Sequence, residues 1–320
     1  MNAAVVHAFH SPPRYTSFED PIPAEGEKLV TVTAAGLHPI VKALASGTHY
    51  GSTGELPFVP GVDGVGRLDD GTRVYFGVAR RPFGTFAERA LAASWMCLPL
   101  PDGMDDATAA GIANPAMSSW VALTARAEFV AGESVLILGA TGTAGQLAVQ
   151  IARRLGARHI IAAGRNPREL EKLTDLGADR TISLHQEHDA LVSAFRGEFA
   201  GSGVDIVLDY LWGAPAEATL AAISQKGLSK KAPRVRFVQI GSSAGATISL
   251  PAATLRSSGL QLLGSGFGSA SLDQIRQALQ EFFATAATSP FQTRIETASL
   301  RDVEALWNRP GQSARLVFQP

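Results

Sequence analysis

Hydrophobic residues recur along this chain in two different rhythms. Through roughly the first 110 positions the apolar runs are short and cut by Gly and Pro, as in strands joined by turns. Leu29-Val30-Thr31-Val32-Thr33-Ala34-Ala35 alternates, Val59-Pro60-Gly61 turns, and Gly71-Thr72-Arg73-Val74-Tyr75-Phe76 has the make-up of a further strand. Near residue 104 the rhythm changes. Asp105-Asp106-Ala107-Thr108-Ala109-Ala110 opens like a helix, with acids in the first turn where the macrodipole favours them. Strands then alternate with helices: Ser134–Gly139 is a predicted strand, Ala144–Leu155 a helix, His159–Ala163 a strand and Pro167–Leu176 a helix. Further strands are predicted at Arg180–Leu184, Val204–Tyr210, Arg236–Ile240 and Leu260–Gly264.

Val135-Leu136-Ile137-Leu138 is apolar without a break, which suits a parallel strand covered on both faces. About six such units predict an α/β fold with a doubly wound parallel sheet. From Phe291 to Pro320 the pattern is β again, and Ala314-Arg315-Leu316-Val317-Phe318 is a predicted closing strand. The expected organisation is a mostly β domain over residues 1–112, completed by 289–320, with the doubly wound domain at 113–288. No internal repeat or low-complexity linker interrupts it.

Composition narrows the function classes. The 320 residues are 46% hydrophobic and 18% charged, enough apolar material for two cores. The net charge is −1, so there is no basic excess to neutralise phosphates and no nucleic-acid partner is expected. Cys97 is the single cysteine, which rules out an intramolecular disulfide and every zinc site built on several cysteines. Its apolar surroundings, Ser94-Trp95-Met96-Cys97-Leu98-Pro99, suit a buried, inert thiol. The N-terminal residues lack the basic-then-apolar pattern of a signal peptide. The longest apolar segment, Val135 to Ala152, is broken by Gly, Thr and Gln, so no membrane partner is expected and the location expected by default is the cytoplasm.

The chemistry gathers after the first predicted strand of the second domain. Val135-Leu136-Ile137-Leu138-Gly139-Ala140-Thr141-Gly142-Thr143-Ala144-Gly145 runs from an apolar strand through a glycine-punctuated turn into an amphipathic helix. Gly142 would let the backbone approach a pyrophosphate, and Gly145 would let the helix pack closely on its strand. The amides of Thr141, Gly142, Thr143 and Ala144 would then meet the anion at a helix N-terminus. A site for NAD ordinarily carries a carboxylate at the end of the second strand, about 20 residues on, to bind the ribose hydroxyls. Here Gly164-Arg165-Asn166-Pro167-Arg168 holds that place, with no acid. Gly164, Arg165 and Arg168 suit a dianionic 2′-phosphate and point to NADPH. As the alternative, the two arginines solvate a helix start.

With those residues noted, the sequence resembles the medium-chain dehydrogenase/reductase superfamily, in its zinc-free quinone oxidoreductase and enoyl reductase branch. Ala34-Ala35-Gly36-Leu37-His38-Pro39 is similar to the branch's early signature, where Asn ordinarily stands in place of His38. Leu56-Pro57-Phe58-Val59-Pro60-Gly61-Val62-Asp63-Gly64-Val65-Gly66 resembles its proline–glycine turn, and Gly84-Thr85-Phe86-Ala87-Glu88 the strand that follows. The resemblance implies a Rossmann domain beside a mostly β, GroES-like catalytic domain, and a homodimer. In zinc-dependent relatives, metal ligands occupy three of the matched places. Here those places hold His38, Val62 and the stretch Asn114 to Ser118, with Val41 where an acid would stand. One potential ligand cannot hold a catalytic zinc, which needs three, so no metal is expected. His185 and His188 have helical i, i+3 spacing, but as a solvated helix face.

Without a Lewis acid, hydride transfer to a quinone or to the β-carbon of an enone is better matched than alcohol–ketone interconversion, because charge spreads along the π-system. A modest donor then suffices. Ser46-Gly47-Thr48-His49-Tyr50-Gly51 resembles the segment of enoyl-thioester reductases that carries their tyrosine, which makes Tyr50 a candidate donor, with His38 as the second. Each has an ordinary alternative: Tyr50 packing a turn, His38 as pocket wall. Two later strand ends, Gly241-Ser242 and Gly264-Ser265-Gly266, are expected to orient the nicotinamide. The expected activity is a zinc-independent transfer of hydride from NADPH to a small-molecule quinone or α,β-unsaturated carbonyl. An enoyl-thioester reductase and a non-catalytic NADPH-binding protein remain as alternatives.

Overall fold

The computed structural model describes residues 1–77, 79–224, 233–310 and 314–320, and the chain falls into two compact units. One comprises Met1–Pro115 with Leu279–Pro320, the other Ala116–Ala278.

The first unit opens with β1 (Asn2–Val5), β2 (Arg14–Ser17), β3 (Glu27–Gly36), α1 (Pro39–Ala45), β4 (Asp63–Arg67), β5 (Arg73–Gly77), β6 (Arg89–Ala93) and β7 (Leu98–Pro99). β3 is the hub of this unit. It pairs antiparallel with β4 and with β6, and its 10 residues carry a bulge between Val32 and Ala34 that bends the strand. Buried residues on several of these strands, among them Val30, Val32, Val74 and Phe76, close over one core together with Phe86, which precedes β6. α2 (Asp106–Val121) follows. Asp105 accepts a hydrogen bond from the Thr108 amide at 2.8 Å, capping the helix start that the acidic run predicts.

The second unit holds β8 (Ser134–Leu138), α3 (Thr143–Arg154), β9 (His159–Gly164), α4 (Pro167–Lys172), β10 (Arg180–Ser183), α5 (His188–Ala200), β11 (Ile206–Asp209), α6 (Gly213–Ile223), β12 (Arg234–Gln239), α7 (Ala252–Arg256) and β13 (Gly259–Gly264). All six strands are parallel and lie in the order β10-β9-β8-β11-β12-β13. The order reverses between β8 and β11, which makes their carboxyl ends the topological switch point where doubly wound sheets hold ligands. β8 is buried at every position, as its unbroken apolar run requires.

α8 (Leu272–Thr288) leads back to the first unit, where β14 (Ile295–Ser299), the short α9 (Val303–Leu306) and β15 (Arg315–Gln319) end the chain. β15 pairs antiparallel with β3 and parallel with β14, so the tail strand is built into the β3 sheet.

Two local expectations are corrected. The helix expected over Pro167–Leu176 stops at Lys172, because Gly177 at φ +113° lets the chain turn back and the Ala178 amide bonds to the Leu173 carbonyl. His185 and His188 do not share a helix face: α5 begins at His188, and His185 lies in the loop before it.

Candidate functional site

The glycine turn after β8 has the form the sequence suggests, and packing gives the reason. An added Cβ at Gly145 would lie 2.4 Å from the Gly139 carbonyl oxygen and 2.5 Å from the Ala140 Cα, both rigid backbone. Only glycine lets α3 start so close to its strand. Gly142 is different: a Cβ there would meet only the Gly139 oxygen, at 3.6 Å, an ordinary contact. It is the N-cap of α3, and no side chain caps the helix. The first-turn amides thus keep their donor capacity for an anion.

Across the turn, β9 ends at Gly164, with Arg165 and Arg168 exposed beyond it. Asn166 caps α4 by accepting from the Arg168 and Glu169 amides at 3.1 and 3.3 Å, which fixes the backbone that carries both arginines. The nearest acid in the chain, Glu169, is turned to Lys172 at 2.6 Å and to Gln146 at 3.2 Å. Neither Arg165 nor Arg168 has an ion-pair partner among the described residues. The donor set suits a nucleotide whose ribose carries a phosphate.

The later strand ends are tied to each other. The Ser265 amide donates to the Gln239 carbonyl at 2.8 Å, and the Gln239 side chain donates to the Gly241 carbonyl at 3.0 Å. The Gly264 carbonyl accepts from Arg126 at 2.8 Å. Ser242 and Gly266 are exposed at the same carboxyl edge of the sheet.

Asp209, at the end of β11, was not foreseen. Its buried carboxylate accepts from the Leu211 and Trp212 amides at 2.8 and 3.0 Å, holding a turn in which Trp212 takes φ +56°. Burial pushes its carboxyl up to about 6, against the pull of the two amides. The turn leans on the cradle, since a Cβ on Gly139 would meet Leu211 at 3.1 Å. A sequence signal existed in Asp209-Tyr210-Leu211-Trp212-Gly213, an acid closing an apolar strand before a glycine.

The two candidate donors of the first unit differ sharply. Tyr50 is 73% exposed on a turn, with its ring stacked on His49 at 4.1 Å between centroids. His38 is 1% exposed and stands at the start of α1. Its Nε2 lies 3.6 Å from Oδ1 of Asp63, itself 4% exposed, and Tyr75 donates to Oδ2 of the same carboxylate at 2.8 Å. Neither Asp63 nor Tyr75 stood out as functional in the sequence, although an acid inside the turn Val62-Asp63-Gly64 was the available signal. Val62 is a partly buried apolar neighbour of the core and Val41 is fully buried, so these positions offer packing and no ligating atom. Cys97 is half-buried, and burial pushes its thiol up, away from the reactive thiolate.

A reversal-ordered parallel sheet with a glycine turn at its switch point, in one chain with a separate β unit, suits a nucleotide-dependent oxidoreductase. The family model described as zinc-binding dehydrogenase matches residues 144–284, a segment that contains no cysteine. A probable NADPH-dependent quinone reductase of Emericella nidulans is 27% identical over the whole of both chains. Human quinone oxidoreductase is 31% identical over 65% of this chain and 64% of its own length. Among solved structures, the quinone oxidoreductase of Thermus thermophilus, determined also in complex with NADPH, superposes with a TM-score of 0.81 at 25% identity over both full chains. In sequence and in fold the chain is thus similar to the quinone oxidoreductase branch of the medium-chain dehydrogenase/reductase superfamily.

Proposed function

We propose that this oxidoreductase binds NADPH at the turn after β8 and reduces a quinone or an α,β-unsaturated carbonyl without zinc. The observation that carries the cofactor choice is the end of β9, where Arg165 and Arg168 are exposed, lack ion-pair partners among the described residues and have no neighbouring carboxylate free to bind ribose hydroxyls. The names of the Emericella and Thermus relatives support the same cofactor. Zinc independence is argued from residue identity: Val62 bears no ligating atom and Cys97 is the chain's one cysteine.

When bound, the cofactor supplies the hydride; the chain supplies binding, orientation and a proton. Thr141, Thr143 and Ala144 would hold the pyrophosphate, with Gly142, whose amide donates to the Gly139 carbonyl at 3.1 Å, letting it come close. Gly164, Arg165 and Arg168 would hold the 2′-phosphate, and the strand ends at Gly241-Ser242 and Gly264-Ser265-Gly266 the nicotinamide end. His38 and Tyr50 are the proposed hydrogen-bond donors to the acceptor oxygen. His38 is assigned the larger part, since a buried donor acts in low dielectric while the exposed Tyr50 hydroxyl competes with water.

A homodimer is part of the proposal. Among the described residues no strand pairs with the outer side of the edge strand β13, and Leu255, Leu262, Phe267 and Leu272 are 40–55% exposed along and beside it. Sedimentation of the wild type and of Leu262→Lys tests it, and a wild-type monomer at micromolar concentration refutes it.

The deciding experiment follows NADPH and NADH oxidation against quinones, enones and enoyl thioesters, for the wild type and Arg165→Ala. Loss of a charge-assisted pair to the phosphate should cost about 1.5–3 kcal/mol in NADPH binding and leave NADH unchanged. Equal effects on both cofactors would exclude Arg165 as the phosphate reader. Turnover restricted to enoyl thioesters would favour the acyl reductase alternative, and binding without turnover the non-catalytic one.

A further inference from the structure

Polar atoms are unusually concentrated around His38. Both of its ring nitrogens, Oδ1 of Asp63 and Nε of Arg315 are buried without a hydrogen-bond partner among the described residues. Buried polar groups are ordinarily paired, so such a cluster within one unit calls for an explanation in chemistry.

The surrounding bonds fix one side of the cluster, while both His38 nitrogens stay buried without a hydrogen-bond partner among the described residues. Tyr75 donates to Oδ2 of Asp63, and Thr85 donates to the Asp63 main-chain carbonyl at 2.8 Å, so the carboxylate has one orientation and Oδ1 is the oxygen turned to His38. Burial and the nearby carboxylate hold the Tyr75 phenol well above its usual range, which keeps it a donor at every working pH. The imidazole lies over Gly36, where a Cβ would stand 2.5 Å from Nε2; glycine is what admits the ring. Arg315 donates to the Leu37 carbonyl at 2.8 Å and is influenced by Asp63, and Lys42 on α1 feels the charge of Arg315. These cations bring positive charge to the neighbourhood, and Asp63 offsets it.

We propose that Asp63, anchored by Tyr75, is a positioning residue that holds His38 as the Nε2–H tautomer, so that Nδ1 is the nitrogen that carries and releases the proton. The separation of 3.6 Å between Nε2 and Oδ1 is longer than a finished hydrogen bond. Catalytic hydrogen bonds often tighten only when substrate is in place, so this spacing suits a contact that closes on binding. In the reaction, the hydride brings the electron pair to the acceptor, and the Nδ1–H bond of the imidazolium breaks to give its proton to the oxygen that has gained charge. His38 is left neutral with its proton on Nε2, facing Asp63, and recovers a proton from solvent. This inference rests on the reading above that His38 is the donor, and it adds Asp63 and Tyr75 to the machinery.

The test separates the two claims. Nitrogen-15 NMR of histidine-labelled protein, free of cofactor, reads the tautomer of His38, with the signal assigned by its loss in His38→Asn. Near neutral or higher pH the neutral ring should carry its proton on Nε2. A wild-type ring protonated on Nδ1 overturns the positioning role without any need for a variant. In Asp63→Asn the tautomer preference should be lost, kcat should fall about tenfold to a hundredfold, and KM and NADPH affinity should stay. Asp63→Glu should restore part of kcat. A lost preference with kcat intact overturns His38 as proton donor, and an unchanged tautomer in Asp63→Asn overturns Asp63.

Discussion

Asp209 offers a quantitative test of the turn that braces the nucleotide cradle. Its carboxyl is raised from the ordinary 3.8 to about 6, chiefly by burial, while the Leu211 and Trp212 amides favour the charged form. Desolvation therefore outweighs two hydrogen bonds to a carboxylate, which is the expected order for a group removed from water. The folded state holds this proton more tightly than the unfolded state. The group's contribution is thus fully present below pH 3.8 and is lost as pH rises through about 6. At ~1.4 kcal/mol for each tenfold difference in proton affinity, the full loss is about 3 kcal/mol, of which about 2 kcal/mol falls between pH 4.5 and 8.

Replacing Asp209 by Asn removes the titration and keeps an oxygen for the two amides. Other carboxylates shift the opposite way: Glu27, Glu88 and Asp179 are each held below their usual range and add stability as pH rises. The difference between variant and wild type cancels them. Urea unfolding at pH 4.5, 6 and 8, followed through the transition that reports Trp120 and Trp212, should show Asp209→Asn gaining about 2 kcal/mol on the wild type between the lowest and highest pH. A fixed offset, from burying the new amide group, leaves that change untouched. A difference that stays within about 0.5 kcal/mol across the range would refute burial as the dominant influence on Asp209.

Other substitutions separate architecture from binding. Gly145→Ala drives a methyl into the Gly139 carbonyl and should cost about 1–3 kcal/mol of stability, read as a fall in the thermal midpoint. Gly142→Ala meets no such wall, so its midpoint should stay while NADPH binding by calorimetry weakens at least tenfold; an unchanged affinity would place the phosphates elsewhere. Arg236 is buried against Glu133 and the Ala127 and Glu128 carbonyls. Arg236→Ala should therefore cost about 3–5 kcal/mol in urea unfolding, and less than about 1 kcal/mol would show that the pair is wet. Tyr50→Phe should lose less than tenfold in kcat on an enone, since water can replace an exposed hydroxyl; a loss of ~10²-fold would return the main donor role to Tyr50.

The parts of this molecule readable in its sequence are those set by local pattern. An unbroken apolar run can only be a covered strand, which is why β8 was legible from Val135-Leu136-Ile137-Leu138. Gly139 and Gly145 could be read because the turn and the close helix each impose a separate demand on the backbone at a fixed spacing. Arg165 and Arg168 stood out in the sequence because no acid holds their place, and the structure leaves both exposed beyond β9. Pairings distant in sequence were opaque. Asp63 and Tyr75 are 12 residues apart, and His38 lies 25 before Asp63; only the register of β4 against β5 and the start of α1 bring them together. Asp209 was hidden for a related reason, since its effect comes from burial and burial is decided by neighbours such as Leu211.

His38 and Tyr50 illustrate how the same two candidates change standing once burial is known. In the sequence Tyr50 has the stronger claim, because its segment resembles one that carries a tyrosine in related reductases, while His38 merely replaces an asparagine. On the proposed reading, exposure reverses the order. For a residue 73% open to solvent, water competes for the phenol, so the gain on bonding to a developing oxyanion is small. An imidazole 1% exposed, set 3.6 Å from a carboxylate that is itself held by Tyr75, has no such competitor. Replacing asparagine by histidine at this position also changes what the position can do: an amide offers a hydrogen bond, whereas an imidazole beside a buried acid can give up a proton and recover it. On the reading proposed above, His38, where the resembled signature carries asparagine, is the residue to test first for a proton-transfer role.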